Sequence, residues 1–372
     1  MKKLKYFENS VSFGLVTDCE RVINDLEHKL SPFITAEDHD SESIVTLYAF
    51  NDLPDVNIIN TSGCVPKEIV IDASLYEHLC SKGKRFDIND GEYVIEVEKT
   101  QSTIYFNQNS SEIKIYNQSS EALSTDTLRI LKSLVSLSCE KEGAVMLHAS
   151  GVVVGNDQTV LFLGDSRNGK TTILLETLSK FKGHMLSCDT SFVKNQDTSL
   201  IVRGWPSNFS VSVGTMHDYE VLHKFLSKTN SSMSYQQAWD IYPKEVLDSK
   251  EVIISMQAQI VPEAKVNTLV FLNFDSKGHT RIYNMTEPNS IRAFVKQVYL
   301  GSRDSLYPNW HKFWEVSEDD IERNIDSFVA AVSKCEIEVY QMDWSPGPET
   351  LLRRVNVLEP FNKNIMQVRD EV

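Results

Sequence analysis

Residues 159 to 172 read Thr-Val-Leu-Phe-Leu-Gly-Asp-Ser-Arg-Asn-Gly-Lys-Thr-Thr, and no other stretch constrains the chain as strongly. Five mostly apolar residues run into Gly164, the pattern G-x-x-x-x-G-K-T closes at Thr171, and an amphipathic run from Ile173 to Lys180 follows. Strand, glycine loop and helix in that order make a phosphate-binding loop of the P-loop (Walker A) type. The first turn of such a helix has backbone N–H groups without intrahelical partners, and its dipole adds positive potential. Gly164 and Gly169 let the backbone curl around a phosphate with no Cβ in the way. The expected cradle is Gly164, Asp165, Ser166, Arg167, Asn168, Gly169, Lys170, Thr171 and Thr172. Lys170 is expected to reach the β- and γ-phosphates of a nucleoside triphosphate, and the Thr171 hydroxyl to bind Mg²⁺. A loop lysine is also expected to face solvent, so that its removal would spare the fold.

What precedes the loop narrows the topology. Ala144–Val154 reads as a strand, and Gly155-Asn156-Asp157 turns it straight into the loop strand. A connection this short joins antiparallel strands, because a parallel pair needs a crossover of a dozen or more residues. The loop strand therefore has an antiparallel neighbour immediately before it in sequence. Most doubly wound nucleotide-binding domains do not enter their loop this way.

Upstream, residues 1–118 read as a small β-rich domain with one helix from Asp18 to Leu30 and short strands between turn signals. Residues 117–124 read as a polar linker, and Ser124 or Thr125 as the cap of a helix ending at Gly143. Downstream, His184–Cys188 is a short strand ending at Asp189, beside the loop strand. Val266–Phe274 is a strongly apolar strand with Thr280–Tyr283 as its expected hairpin partner. Ser290–Leu300 and Asp319–Ser333 read as helices and Ile337–Met342 as a late strand. The expected organisation is 1–118, 119–345 and a C-terminal helix or tail at 346–372.

Composition excludes several classes. The net charge of −15 argues against a broad nucleic-acid surface, which needs clustered Lys and Arg. No apolar run reaches the roughly 20 residues of a membrane span. Met1 to Asn9 starts positive but has no apolar core behind it, so a cytoplasmic location is expected. The six cysteines show no C-x-x-C pair or zinc spacing and read as reduced thiols.

With His148 in Leu-His-Ala-Ser-Gly, the hairpin, the loop and Ser-Cys-Asp189 in this order, the chain resembles the HPr kinase/phosphorylase superfamily. The resemblance covers residues 125 to 215 well and extends loosely to 345. It implies an α/β, phosphoenolpyruvate carboxykinase-like P-loop domain with a mixed or antiparallel sheet, preceded here by the β-rich domain. It also implies a kinase that moves the γ-phosphoryl group of Mg-ATP to a hydroxyl of a protein, peptide or small molecule. His148, Lys170 and Asp189 take the catalytic places, and Thr171 and Asp189 those of metal binding. Three features depart from the family. Asp189 is followed by Thr190 rather than a second acid, Arg167 stands where an extra glycine is usual, and the C-terminal signature of true HPr kinases is missing. HPr is therefore not the expected acceptor.

Each role has a plain structural alternative. Asp189 at a strand end suits a metal-supporting or proton-accepting carboxylate, and equally a turn cap. His148 on an apolar strand is either a satisfied core residue or a partner of phosphate or Asp189. Arg203 reads as a phosphate ligand or an edge-strand salt bridge. The aromatic and basic stretch from Arg292 to Trp314 reads first as a helix and loop packed on the core, and second as an acceptor clamp. Two other functions use the same loop: a nucleotide switch or hydrolase without an acceptor, and a non-enzymatic ATP-binding protein. The identity of the acceptor and any homo-oligomeric state stay open.

Overall fold

The computed structural model describes residues 2–5, 12–38, 44–54, 61–72, 81–155, 157–274, 281–302 and 309–344. Asn156, Cys80, Arg303, Tyr307 and the tail at 346–372 lie outside them. The architecture is mixed α/β with mixed sheets, and the chain divides into two compact units.

The first unit comprises residues 1–142 and 300–321. It contains β1 (Lys2–Lys5), β2 (Phe13–Thr17), α1 (Glu20–Leu30), β3 (Thr35–Asp38), β4 (Val45–Phe50), β5 (Lys67–Asp72), β6 (Ser81–Asn89), β7 (Glu92–Val97), β8 (Thr103–Asn107), β9 (Glu112–Tyr116) and α2 (Ser120–Lys141). One sheet holds all nine strands in the order β3-β1-β2-β4-β9-β8-β7-β6-β5. The β2–β4 and β4–β9 pairs are parallel and the rest antiparallel. β4 alternates buried Val45, Leu47 and Ala49 with half-exposed neighbours, the period of a sheet covered on one face. α1 and α2 pack on each other.

Here the expected linker proves to be a helix start. Asn117 donates through Nδ2 to Thr100 O and Ser102 Oγ and accepts from Ser119 N, and Ser119 Oγ accepts from Ala122 N as the cap of α2. The polar residues that read as a linker are the capping groups. The whole of α2 belongs with the β-rich sheet, so the units divide at Glu142 rather than at residue 118. The segment 300–321 also returns to this unit. His311 is fully buried there: its carbonyl accepts from Tyr93 Oη at 2.5 Å, its Nδ1 accepts from Phe313 N, and its Nε2 lies 2.8 Å from Ser133 Oγ. Trp310 and Phe313 are buried with it, so this part of the aromatic stretch is core.

Among the described residues, the second unit comprises those within 143–299 and 322–344. Its strands are β10 (Ala144–Val154), β11 (Gln158–Leu163), β12 (His184–Ser187), β13 (Thr190–Gln196), β14 (Ser199–Gly204), β15 (Phe209–Ser212), β16 (Lys244–Leu247), β17 (Glu263–Lys265), β18 (Thr268–Phe274), β19 (Arg281–Asn284) and β20 (Glu338–Trp344). Its helices are α3 (Lys170–Phe181), α4 (Val213–His217), α5 (Lys228–Ser231), α6 (Tyr235–Ile241), α7 (Ser249–Ser255), α8 (Pro288–Gln297) and α9 (Glu318–Lys334), the last beginning in the first unit, with a 3₁₀ turn at Glu220–Phe225.

The main sheet runs β17-β14-β13-β10-β11-β18-β20-β19, and β15 pairs separately with β16. β10 and β11 pair antiparallel, as the short turn between them requires. β18 pairs parallel with β11 on one side and β20 on the other. Two expectations are corrected. β19 pairs with β20 rather than with β18, because β20 inserts between them. β12 flanks β10, not the loop strand, because β18 occupies that side of β11. No helix among the described residues is long and apolar enough to cross a membrane. Cys19, Cys64, Cys139, Cys188 and Cys335 form no disulfide among the described residues.

Candidate active site

β11 delivers the chain to Gly164 at the edge of a cleft, and α3 starts at Lys170. Gly169 caps the helix at φ +81°, and a Cβ there would lie 2.3 Å from Trp344 Cζ2. Only glycine suits both the backbone and the contact. The loop is braced from outside: Trp344 Nε1 donates to Asn168 O at 2.7 Å, Asn168 Nδ2 to Leu272 O at 2.9 Å, and Gln297 Nε2 to Asp165 Oδ2 at 2.5 Å. Arg167 holds φ +71°, the left-handed region that glycine enters freely. Arg167 thus sits in a conformation that costs a non-glycine residue some strain.

Lys170 is 5% exposed, which corrects the solvent-facing expectation. Its Nζ donates to Gly164 O at 2.8 Å and Asp165 O at 3.0 Å. Burial pulls its pKa down to about 8, with Lys244 adding to the fall and Asp189 and Asp165 opposing it. The Thr172 hydroxyl is also buried, 2.9 Å from Thr215 Oγ1, which in turn lies 2.7 Å from Ser212 Oγ. Thr172 thus ties α3 to β15 and α4, while Thr171 lines the cleft with Ser166 and Arg167.

Sheet geometry brings the other residues in. One side of β10 is shared by two strands, with β13 alongside 144–148 and β12 alongside 151–153. The chain crosses between these stretches at Cys188 and Asp189, held by Ala149 N donating to Asp189 O and Ser150 Oγ to Cys188 O. His148 faces Thr190 in register, so its Nε2 donates to Asp189 Oδ1 at 3.0 Å. The His148 carbonyl also accepts from Gly164 N at 3.3 Å, joining this pair to the start of the loop. Burial raises the Asp189 pKa, but the His148 hydrogen bond with the charges of His148, Lys170 and Lys244 outweighs it, and the carboxyl stays below its usual range. Cys188, just before it, is pushed up to about 12 by burial and is no nucleophile.

The cleft is open to solvent and is lined by His148, Lys170, Thr171 and Asp189 among others. It also contains Ser210, Ser212, Tyr242 and Lys244, which the sequence did not single out. Ser210, Ser212 and Lys244 arrive through the β15–β16 pairing, where Ser212 and Lys244 are register partners, and Tyr242 caps the end of α6 just before β16. No motif marks this stretch, so their only signal is tertiary. Arg203 is not part of the cleft; its Nη1 lies 3.9 Å from Glu263 on β17, the edge-strand salt bridge. Arg292 pairs with Glu322 and Asp326, and the Phe294 ring lies against Phe271, so α8 is packed on its own unit.

No protein-family model matches the sequence, and no curated protein matches it. Among solved structures, the chain is similar to the Hpr(Ser) kinase/phosphatase from Coxiella burnetii, with a TM-score of 0.28 and 11% identity over 59% of this chain and 98% of that one.

Proposed function

We propose that this protein is an ATP-dependent kinase of the HPr kinase-like, phosphoenolpyruvate carboxykinase-like type, acting on a hydroxyl acceptor other than HPr. The observation that carries the reading is the convergence of Lys170, Thr171, Asp189 and His148 on one cleft at the N-terminus of the loop helix. Loop amides and Lys170 hold the phosphates. The acceptor oxygen forms a bond to the γ-phosphorus as the bond to the β–γ bridging oxygen breaks, ADP leaves, and the acceptor proton passes to Asp189. His148 orients that carboxylate. The low pKa of Asp189 makes it a weak base, and a loose transition state asks more of position than of base strength.

The donor set suits Mg²⁺ carried in by the nucleotide. Among the described residues no group of three or more His, Cys, Asp or Glu is arranged to hold a metal. Thr171 and Asp189 would hold Mg²⁺ with one hydroxyl and one carboxylate, few enough protein groups to suit an ion that keeps phosphate and water around it. When bound, the ion neutralises charge on the phosphates.

The test is incubation with γ-labelled ATP and fractionated lysate. A labelled acceptor, lost in the Asp189→Asn variant, is the expected result. Label released only as inorganic phosphate assigns a hydrolase or switch, and binding without turnover assigns an ATP-binding protein; either outcome sinks the kinase reading.

A further inference from the structure

Lys244 is a cation that the phosphate loop does not supply. It begins β16, which pairs antiparallel with β15 so that Lys244 stands opposite Ser212. Its position is anchored twice. The hydroxyl chain from Thr172 through Thr215 to Ser212 ties β15 to the loop helix. On the other flank, Val213 N donates to Pro243 O at 2.9 Å, and the Trp239 ring lies so close to Gly214 that a Cβ there would stand 2.5 Å from it. The backbone of Lys244 therefore keeps a set place relative to the loop helix and does not ride on an independent loop, while its side chain is exposed.

Its electrostatic neighbours are Asp189 and Arg167. Asp189 in turn feels both Lys170 and Lys244. Arg167, Lys170 and Lys244 form no ion pair with any described carboxylate within 4.0 Å. Among the residues lining the cleft, three such cations thus face one carboxylate, in a chain whose net charge is −15. A phosphoryl group seated by Lys170 would bring its negative oxygens towards the carboxylate of Asp189. Like charges that close repel strongly in a partly desolvated cleft unless a further cation stands beside both. Lys244 lines the same cleft, acts on the Asp189 carboxylate, and comes from β16 rather than from the loop.

We propose that Lys244 binds the terminal phosphoryl group of the nucleoside triphosphate and makes the site selective for triphosphate over diphosphate. This rests on the reading of the cleft as a nucleotide site. Lys170 and the loop amides serve both nucleotides, whereas Lys244 meets a group that only the triphosphate carries. The same contact strengthens as charge shifts during transfer, so Lys244 also belongs among the residues that stabilise the reacting group.

The experiment is calorimetric titration of the full chain with ADP and with a non-hydrolysable ATP analogue, both with Mg²⁺. Lys244→Met should weaken the ATP analogue about tenfold and ADP by less than about twofold, since a charge-assisted hydrogen bond to phosphate is lost in one complex only. Lys244→Arg should restore most of the difference. Lys244→Gln provides a second neutral side chain should the methionine variant not fold. Equal weakening of both nucleotides, or none of either, overturns the proposal. Lys170→Ala separates it from its foundation. If that variant binds both nucleotides as well as the wild type does, the nucleotide-site reading fails; if it loses both while Lys244→Met changes neither, only the role of Lys244 fails.

Discussion

Burial of Lys170 makes a prediction that needs no knowledge of the acceptor. Replacing Lys170 with Met removes the charge, keeps most of the side-chain volume and deprives the carbonyls of Gly164 and Asp165 of a donor. The static losses and gains do not depend on pH, but the titration does. The folded pKa of about 8 lies below the ordinary value of 10.5, so the unfolded chain holds the proton more tightly. The wild type therefore bears a cost for the buried ammonium at neutral pH, and that cost fades as pH rises through the window from 8 to 10.5. At roughly 1.4 kcal/mol per pKa unit, the stability of wild type relative to the Met variant should rise by about 2 to 3 kcal/mol between about pH 7 and about pH 10. Groups that do not feel the Lys170 charge cancel in this comparison, whereas Asp189, Lys244 and Asp165 are coupled to it. Urea denaturation followed by circular dichroism at the two pH values measures it. A difference that stays within about 0.5 kcal/mol across the range would show Lys170 to be solvated, as the sequence alone led one to expect, and would refute the reasoning from burial.

Three further outcomes are expected. Asp189→Asn keeps the hydrogen bond from His148 but loses the charge; steady-state kinetics should show turnover down by about 10² to 10⁴, with Mg-ATP affinity little changed if Asp189 chiefly takes the proton and a raised Mg²⁺ requirement if it chiefly supports the metal, and near-normal transfer with normal Mg²⁺ dependence would make Asp189 a turn residue. Gly169→Ala should destabilise by about 2 kcal/mol or more through its positive φ and the Trp344 contact, and in a Trp344→Leu background thermal unfolding should show a clearly smaller penalty; equal penalties in both backgrounds would discount the contact. His311 has its pKa drawn down to about 3 by burial, with Lys312 and Arg85 adding to the effect, so its folded pKa lies below the unfolded value of 6.5. Its contribution to stability is complete above pH 6.5 and is lost as pH falls towards 3, by about 3 kcal/mol near pH 4.5, while His311→Asn should lack that part of the acid slope in denaturation curves.

The sequence by itself determined the features that depend on neighbours in the chain. The order of strand, glycine loop and helix placed the turn at Gly164 and an amphipathic helical run from Ile173 to Lys180, which the structure begins at Lys170, because loop geometry and helix periodicity are local. The short turn between Val154 and Gln158 left no room for a crossover, which settled the antiparallel pairing of β10 with β11. The cap of α2 at Ser119 was equally local, yet the run of polar residues around it read as a linker, since capping groups and linker residues are the same types.

Tertiary structure decided everything that depends on which strands become neighbours. β20 separates β18 from β19, and β18 rather than β12 flanks the loop strand; both follow from pairings across long stretches of chain that no short pattern encodes. Asp189 meets His148 because β12 and β13 share one side of β10 and the chain turns between them. Lys244 enters the cleft only through the β15–β16 pair, from a stretch with no motif. Burial of Lys170 is also a tertiary outcome: the loop's sequence calls for a lysine, but only the surrounding fold removes its water and lowers its pKa.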